Sequence, residues 1–245
     1  MNRPVNFSMR RWVDSALRQI WPSTCIACGL TADDDSGRDL CQPCHVALPW
    51  NSSACKGCAL PLPVDDGGSR CGSCQATTSP LEQVTASFAY AAPLDRLLPM
   101  FKFHQSMAAG RLLSGLMAET LKGAASANPG ASLVPIPLHR RRLRQRGYDQ
   151  ALELARPLAK RLAMPLRADV LIRPKTTNAQ SRLDKSARRG NLSGAFKVHP
   201  RCSVPPHVIL IDDVMTTGAT LEAAAVALRR AGVARVDAWV CARVA

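Results

Sequence analysis

No apolar run in the 245 residues approaches the roughly 18 that a membrane-spanning helix needs. The first twenty residues carry Arg3, Arg10, Arg11, Asp14 and Arg18 where an export signal would hold an unbroken apolar stretch. A spanning protein and an exported one are set aside, and a cytoplasmic protein is expected. Acidic side chains are also scarce, with 18 Asp and Glu against 32 Lys and Arg, a formal net charge of +14. The deficit is local. Residues 131–202 hold seventeen basic and four acidic side chains, whereas the rest of the chain is nearly neutral. A general nucleic-acid coat spreads its charge over a face or tail, while a concentrated excess suits a small polyanion; both readings stay open on charge alone. Hydrophobic residues at 47% and charged residues at 20% exclude wholesale disorder and leave room for one large domain plus a small one.

Cysteine is plentiful, and its spacing narrows the class. Eight of ten cysteines form four Cys-x-x-Cys pairs, Cys25-Cys28, Cys41-Cys44, Cys55-Cys58 and Cys71-Cys74, with twelve residues between the first and second pairs and twelve between the third and fourth. Two such turns complete the four-sulfur shell of a structural zinc site, so two zinc ions are expected; spacing alone does not decide between sequential and cross-braced pairing, and sequential pairing is the expectation. Disulfides or redox dithiols are the alternative, disfavoured in a reducing cytoplasm. Such sites leave no open catalytic position, so the module is expected to be a scaffold or protein-docking element, with a DNA reader as the alternative. Cys202 and Cys241 are expected to be small buried apolar residues.

These signals divide the chain into a helix over residues 1–22, a double zinc ribbon over 23–76 and an α/β domain over 81–245. Met9, Trp12, Val13, Ala16, Leu17 and Ile20 lie at helical spacing. A membrane-surface or transit-peptide start is the alternative for that helix, against which stand Asp14 and the continuation into Trp21-Pro22. Beyond Ser79-Pro80, residues 84–90 alternate as a strand, and residues 94–121 show two helical groups broken near His104. Leu133 to Leu138 reads as a short buried strand, followed by an arginine-rich loop to Gly147 that invites an anion. A helix is expected over 150–163, kinked or divided at Pro157. Residues 170–172 suggest a brief strand, and the polar stretch 173–194 a mobile loop. Val208-Ile209-Leu210-Ile211 has the pattern of a strand buried on both faces of a parallel sheet. A helix from Leu221 stopped by Gly232 and a strand over 236–244 complete a β-α-β unit.

Chemistry concentrates in Ile209-Leu210-Ile211-Asp212-Asp213-Val214-Met215-Thr216-Thr217-Gly218-Ala219-Thr220, between that strand and the next helix. Ligands of open α/β sheets bind beyond the carboxyl ends of strands, and a helix N-terminus offers unpaired N–H groups to phosphate. Gly218 permits close backbone approach, the threonines add hydroxyl donors, and Asp212 and Asp213 can accept hydrogen bonds from sugar hydroxyls. An ordinary strand-turn-helix is the structural alternative.

The whole string resembles the phosphoribosyl pyrophosphate motif of type I phosphoribosyltransferases. Together with the Cys-x-x-Cys module, Phe101-Lys102-Phe103, residues 134–138, Arg146-Gly147-Tyr148-Asp149-Gln150-Ala151, Gln180 with Arg189 and Asn191, and Gly194-Ala195-Phe196, it resembles the ComF family of ComFC/GntX type over nearly the full length. Tyr148-Asp149 departs from the Phe-Asn more usual there. The resemblance implies a type I phosphoribosyltransferase-like parallel sheet flanked by helices. It implies a 5-phosphate on Thr216, Thr217, Gly218, Ala219 and Thr220, ribose hydroxyls on Asp212 and Asp213, and pyrophosphate with Mg2+ near Arg140, Arg144 and Arg146. A mobile loop would carry Arg173, Lys175, Gln180 and Arg189. Thr216 stands where purine-salvage enzymes carry an acidic residue, which points away from a purine acceptor. The implied role is a phosphoribosyltransferase linked to competence or DNA uptake, or a non-catalytic donor-sensing or nucleic-acid-binding adaptor. Its candidate partners are single-stranded DNA and a helicase-type competence protein.

Overall fold

The computed structural model describes residues 24–32, 39–63, 70–174 and 194–245. The expected N-terminal helix and Lys175, Gln180 and Arg189 of the expected loop lie outside the described residues. By contacts the chain divides into residues 1–48 and 49–245, so the two cysteine repeats fall in different units.

The repeats share one design. In the first, Cys25 N–H donates to Leu30 O at 2.7 Å and Gly29 N–H to Cys25 O at 2.8 Å; in the second, Cys55 N–H donates to Leu60 O at 2.9 Å and Ala59 N–H to Cys55 O at 2.7 Å. Each turn needs a left-handed residue, Gly29 at φ 77° and Ala59 at φ 55°. Glycine adopts that geometry freely, while alanine holds it under strain. Short helices, α1 (Gln42–Val46) and α2 (Gly72–Ala76), start at the first cysteine of the second and fourth pairs, Cys41 and Cys71.

In the larger unit, β1 (Val84–Ala89), α3 (Leu94–Phe103), α4 (Met107–Ser126), β2 (Ser132–Pro135), α5 (Arg140–Arg146), α6 (Gln150–Leu162), β3 (Leu171–Ile172), β4 (Lys197–Val198), β5 (His207–Met215), α7 (Ala219–Arg230) and β6 (Arg235–Arg243) follow in order. The main sheet runs β1-β6-β5-β2, and every pairing in it is parallel. β3 and β4 form a separate antiparallel pair. Val208 to Ile211 are all buried, as a strand covered on both faces requires. Val208 and Leu210 share a cluster with Val236, Ala238 and Val240 of β6 and with Leu221, Ala224, Ala225 and Leu228 of α7. Thr120 of α4 donates to Ser87 Oγ of β1 at 2.8 Å, and Ser114 donates to Leu154 O of α6 at 3.0 Å. The chain thus contains an α/β domain with a parallel sheet flanked by helices, and ribbon-like cysteine clusters.

Three local expectations are corrected. The arginine segment is a helix, α5, because His139 Nδ1 accepts from Arg141 N–H at 3.2 Å at its start and Gly147, at φ 81°, ends it. Of the two outcomes expected at Pro157, division does not occur, and helix α6 runs on through it; the carbonyl that loses its donor belongs to half-exposed Glu153 and can turn to water. Cys202 is half-exposed rather than buried, since its thiol donates to Asp169 Oδ2 at 3.1 Å, while Cys241 is buried as expected.

Candidate functional site and metal centres

The central strand carries its two carboxylates to its C-terminal end. Asp213 is 8% exposed and its Oδ1 lies 3.0 Å from Lys102 Nζ of α3. Asp213 N–H donates to Asp212 Oδ1 at 2.9 Å, and Val214 N–H to Asp213 Oδ1 at 2.6 Å. Burial, then the neighbouring charge of Asp213, pushes the Asp212 carboxyl up to about 8, although its side chain keeps some contact with solvent. A carboxyl pair sharing one cation holds one full charge more readily than two.

The chain then turns into α7. Thr216 is exposed, Thr217 and Thr220 are half-buried, and Gly218 and Ala219 are buried. Gly218 sits at φ 81° as the cap of α7 with no side-chain cap hydrogen bond. A Cβ there would stand 2.6 Å from Met215 Cε, so the turn closes tightly on the strand's last side chain. Gly218 offers no side chain to the opening N–H groups of this twelve-residue helix, and of these Ala219 N–H has Thr217 Oγ1 at 3.5 Å.

Around the carboxylates stand groups from four other segments. Asp149 caps α6 through Leu152 N–H at 3.1 Å and accepts from Leu138 N–H at 2.8 Å, fixing the loop after β2 against that helix. Burial raises its pKa. Arg146 donates to Gln150 Oε1 at 3.0 Å and lies 5.4 Å from the centre of the Phe103 ring, while Tyr148 packs on Phe101 at 5.7 Å. The Tyr148 hydroxyl and the Gln150 amide nitrogen are buried without a partner of good hydrogen-bond geometry among the described residues. Arg173 stacks on Phe196 at 5.0 Å; burial and then the charge of Arg142 lower its pKa, opposed by Asp212 and Asp149. Arg173 lies within electrostatic reach of Asp212 and Asp149, and Tyr148 within that of both Arg146 and Asp213, while Arg140 and Arg144 are exposed on α5. Lys102 was quoted from the sequence without a role. A cation set between Phe101 and Phe103 in the sequence was the available signal. An open groove of about 530 Å³ along Arg70, Cys74, Thr77 and Leu81 contains none of these residues.

The cysteines gather sequentially, Cys25, Cys28, Cys41 and Cys44 in one group and Cys55, Cys58, Cys71 and Cys74 in the other, each with sulfurs within 4.8 Å of one another. Cys28 and Cys41 sulfurs are 3.7 Å apart, as are those of Cys58 and Cys71. A zinc tetrahedron with bonds of about 2.3 Å has edges of about 3.8 Å, whereas a disulfide needs about 2.05 Å. Against the upward push of burial, backbone N–H groups draw Cys25 down to about 6 and Cys55 down to about 7, while burial and neighbouring sulfurs push Cys44 and Cys74 up. Four thiols so close cannot all ionise without a divalent cation, and the donor set fits zinc.

The double zinc ribbon domain family matches residues 16–75. Over 212 residues the chain is 31% identical to DNA utilization protein YhgH of Escherichia coli strain K12, covering 83% of this chain and 90% of that protein. The chain belongs to the ComF family. This ComF-family chain is also 32% identical over 217 residues to DNA utilization protein YhgH of Salmonella typhimurium strain LT2, with the same coverage. Over 178 residues it is 32% identical to Competence protein F of Haemophilus influenzae, spanning 71% of this chain and 78% of that one. Among the described residues no helix is long and apolar enough to cross a membrane.

Proposed function

We propose that this chain binds phosphoribosyl pyrophosphate at the carboxyl end of β5 and transfers its phosphoribosyl group in the service of DNA uptake or use. The observation that carries this reading is the pairing of a tight helix start at Gly218, with no side-chain cap from that residue, with two carboxylates one strand-end away. A phosphoribosyl donor presents a 5-phosphate beside a vicinal diol, which matches that pairing. The N–H groups of 218–220 and the threonine hydroxyls hold the phosphate. Asp212 and Asp213 accept from the ribose hydroxyls, and the exchange of Lys102 for those hydroxyls frees Asp213. Arg146 and Arg173 supply cationic donors towards the pyrophosphate. Magnesium carried on the donor contributes charge neutralisation at the leaving group. Water displaced by the bound donor at the strand end leaves the cationic ribosyl centre protected from hydrolysis.

A non-catalytic adaptor that senses the donor or holds nucleic acid is the second reading. It is favoured by Arg140, Arg141 and Arg144, exposed on α5 near Phe103, which is 65% exposed, a basic surface with an aromatic for single-stranded DNA. Incubation with donor and Mg2+, with and without single-stranded DNA, tests both. Pyrophosphate release supports the transferase; binding without release supports the adaptor; no donor binding removes both donor-based readings.

A further inference from the structure

The second cysteine cluster is sewn into the sheet that carries the site. Val84 N–H of β1 donates to Lys56 O at 2.9 Å, inside the Cys55-Cys58 turn. Cys58 packs against the same apolar cluster that contains Met215, and Ala59 of that turn belongs to it. From the far end of β6, Arg243 Nε donates to Cys58 O at 2.9 Å, and its Nη1 reaches Met215 O at 3.5 Å and the carbonyl of Val244. Met215 O is held again by Val244 N–H at 3.0 Å. Met215 in turn fills the space under Gly218, where an added Cβ would meet its Cε at 2.6 Å.

We propose that Arg243 is a positioning residue that couples the second zinc centre to the turn at 216–220. Zinc on Cys55, Cys58, Cys71 and Cys74 keeps the 55–58 turn closed, and a closed turn presents the Cys58 carbonyl to Arg243. A guanidinium anchored there bridges to the Met215 carbonyl and fixes the strand end on which the Gly218 turn rests. Loss of that zinc opens the turn, releases one end of the bridge and lets Met215 and the helix start move. The metal at this centre thereby sets how well the turn is preorganised for an anion, at a distance and without touching it. The anion's identity as a phosphoribosyl donor rests on the reading above; the coupling does not.

The test uses the full zinc-loaded chain and two readouts, hydrogen exchange over residues 214–222 and donor binding by calorimetry. Arg243→Met is expected to keep two zinc ions per chain, to raise exchange at 216–220 while β5 and β6 stay protected, and to weaken the donor about tenfold. Arg243→Lys, which keeps one donor to the Cys58 carbonyl, should recover part of both. Arg235→Met, at the opposite end of the same strand, should change neither. Removing zinc from the parent should raise exchange at 216–220 while β5 and β6 stay protected, and in Arg243→Met it should add little further change. Exchange at 216–220 that is indifferent to both Arg243→Met and zinc removal overturns the coupling. If Arg243→Met does not fold, zinc removal from the parent decides alone: the turn must loosen before the strands do, and simultaneous opening overturns the inference. A parent chain that does not bind the donor, yet loosens at 216–220 when zinc leaves, sinks the donor reading and keeps the coupling.

Discussion

Replacing Asp212 with Asn should stabilise the α/β unit at neutral and alkaline pH. Asp212 shares the end of β5 with Asp213, and burial together with that charge lifts its carboxyl to about 8. An unfolded aspartate titrates near about 3.9. The folded pKa is the higher one, so the native state holds the proton more tightly. The associated stability is fully present below about pH 4 and is lost as the pH climbs to about 8. Each decade of proton concentration between those limits corresponds to about 1.4 kcal/mol for a fully enclosed group. Asp212 keeps some solvent contact and its oxygen still accepts from Asp213 N–H, so the realised loss is about 1–2 kcal/mol. Asn cannot ionise and its oxygen can take the same N–H. At pH 8 the variant should melt about 4 °C above the parent, and the two should converge at pH 4. At pH 9, where the Asp212 carboxyl is ionised, donor affinity should fall by about 10- to 100-fold in the same variant, since charge-assisted bonds to the sugar are lost. Calorimetric melting across pH 4–9 is the assay. A variant that melts below the parent at pH 8 would show that the carboxylate supports the fold, and the argument from its crowding would fail.

Asp213→Asn should act in the other direction, costing about 2 kcal/mol by stranding the partly buried Lys102, and Lys102→Met in the same chain should restore part of that; urea melts of the single and double variants check it. Metal analysis should return two zinc ions per chain, and thiol titration of freshly prepared protein should find no disulfide among the eight paired cysteines; one ion or one disulfide removes the double-site description. Arg144→Ala with Arg146→Ala should weaken the donor steeply through Arg146, and should weaken single-stranded DNA only with the charge removed. If α5 is instead a DNA track, the log–log salt slope should flatten by about 1.4 with donor affinity intact.

The cysteine clusters and the longer strands and helices were legible because their signals are local. Cys-x-x-Cys spacing, the unbroken run 208–211 and the interruption at His104 each report on neighbouring residues. The surroundings of the carboxylates were not legible in the same way. Lys102 meets Asp213 from a helix more than a hundred positions upstream, and nothing in either stretch names the other. Residues 140–146 read as a loop because five arginines mask any apolar face; what makes them helical is a cap at each end, His139 and Gly147. Cys202 looked apolar by type, and only the fold brings Asp169 to its thiol.

The strand order also bears on how the chain is made. β1 and β2 leave the ribosome early, yet they share no edge, and β6 and β5 stand between them. Gln83, at the mouth of β1, takes its hydrogen-bond partner from Asp237, 154 positions later. Until residues 207–243 have been synthesised, the first half of the α/β domain owns strands without a sheet, and its apolar edges are open to chaperones or to one another. A chain cut short before β5 would therefore keep its helices and lose its core. Expression of such fragments should give aggregates rather than a smaller folded domain.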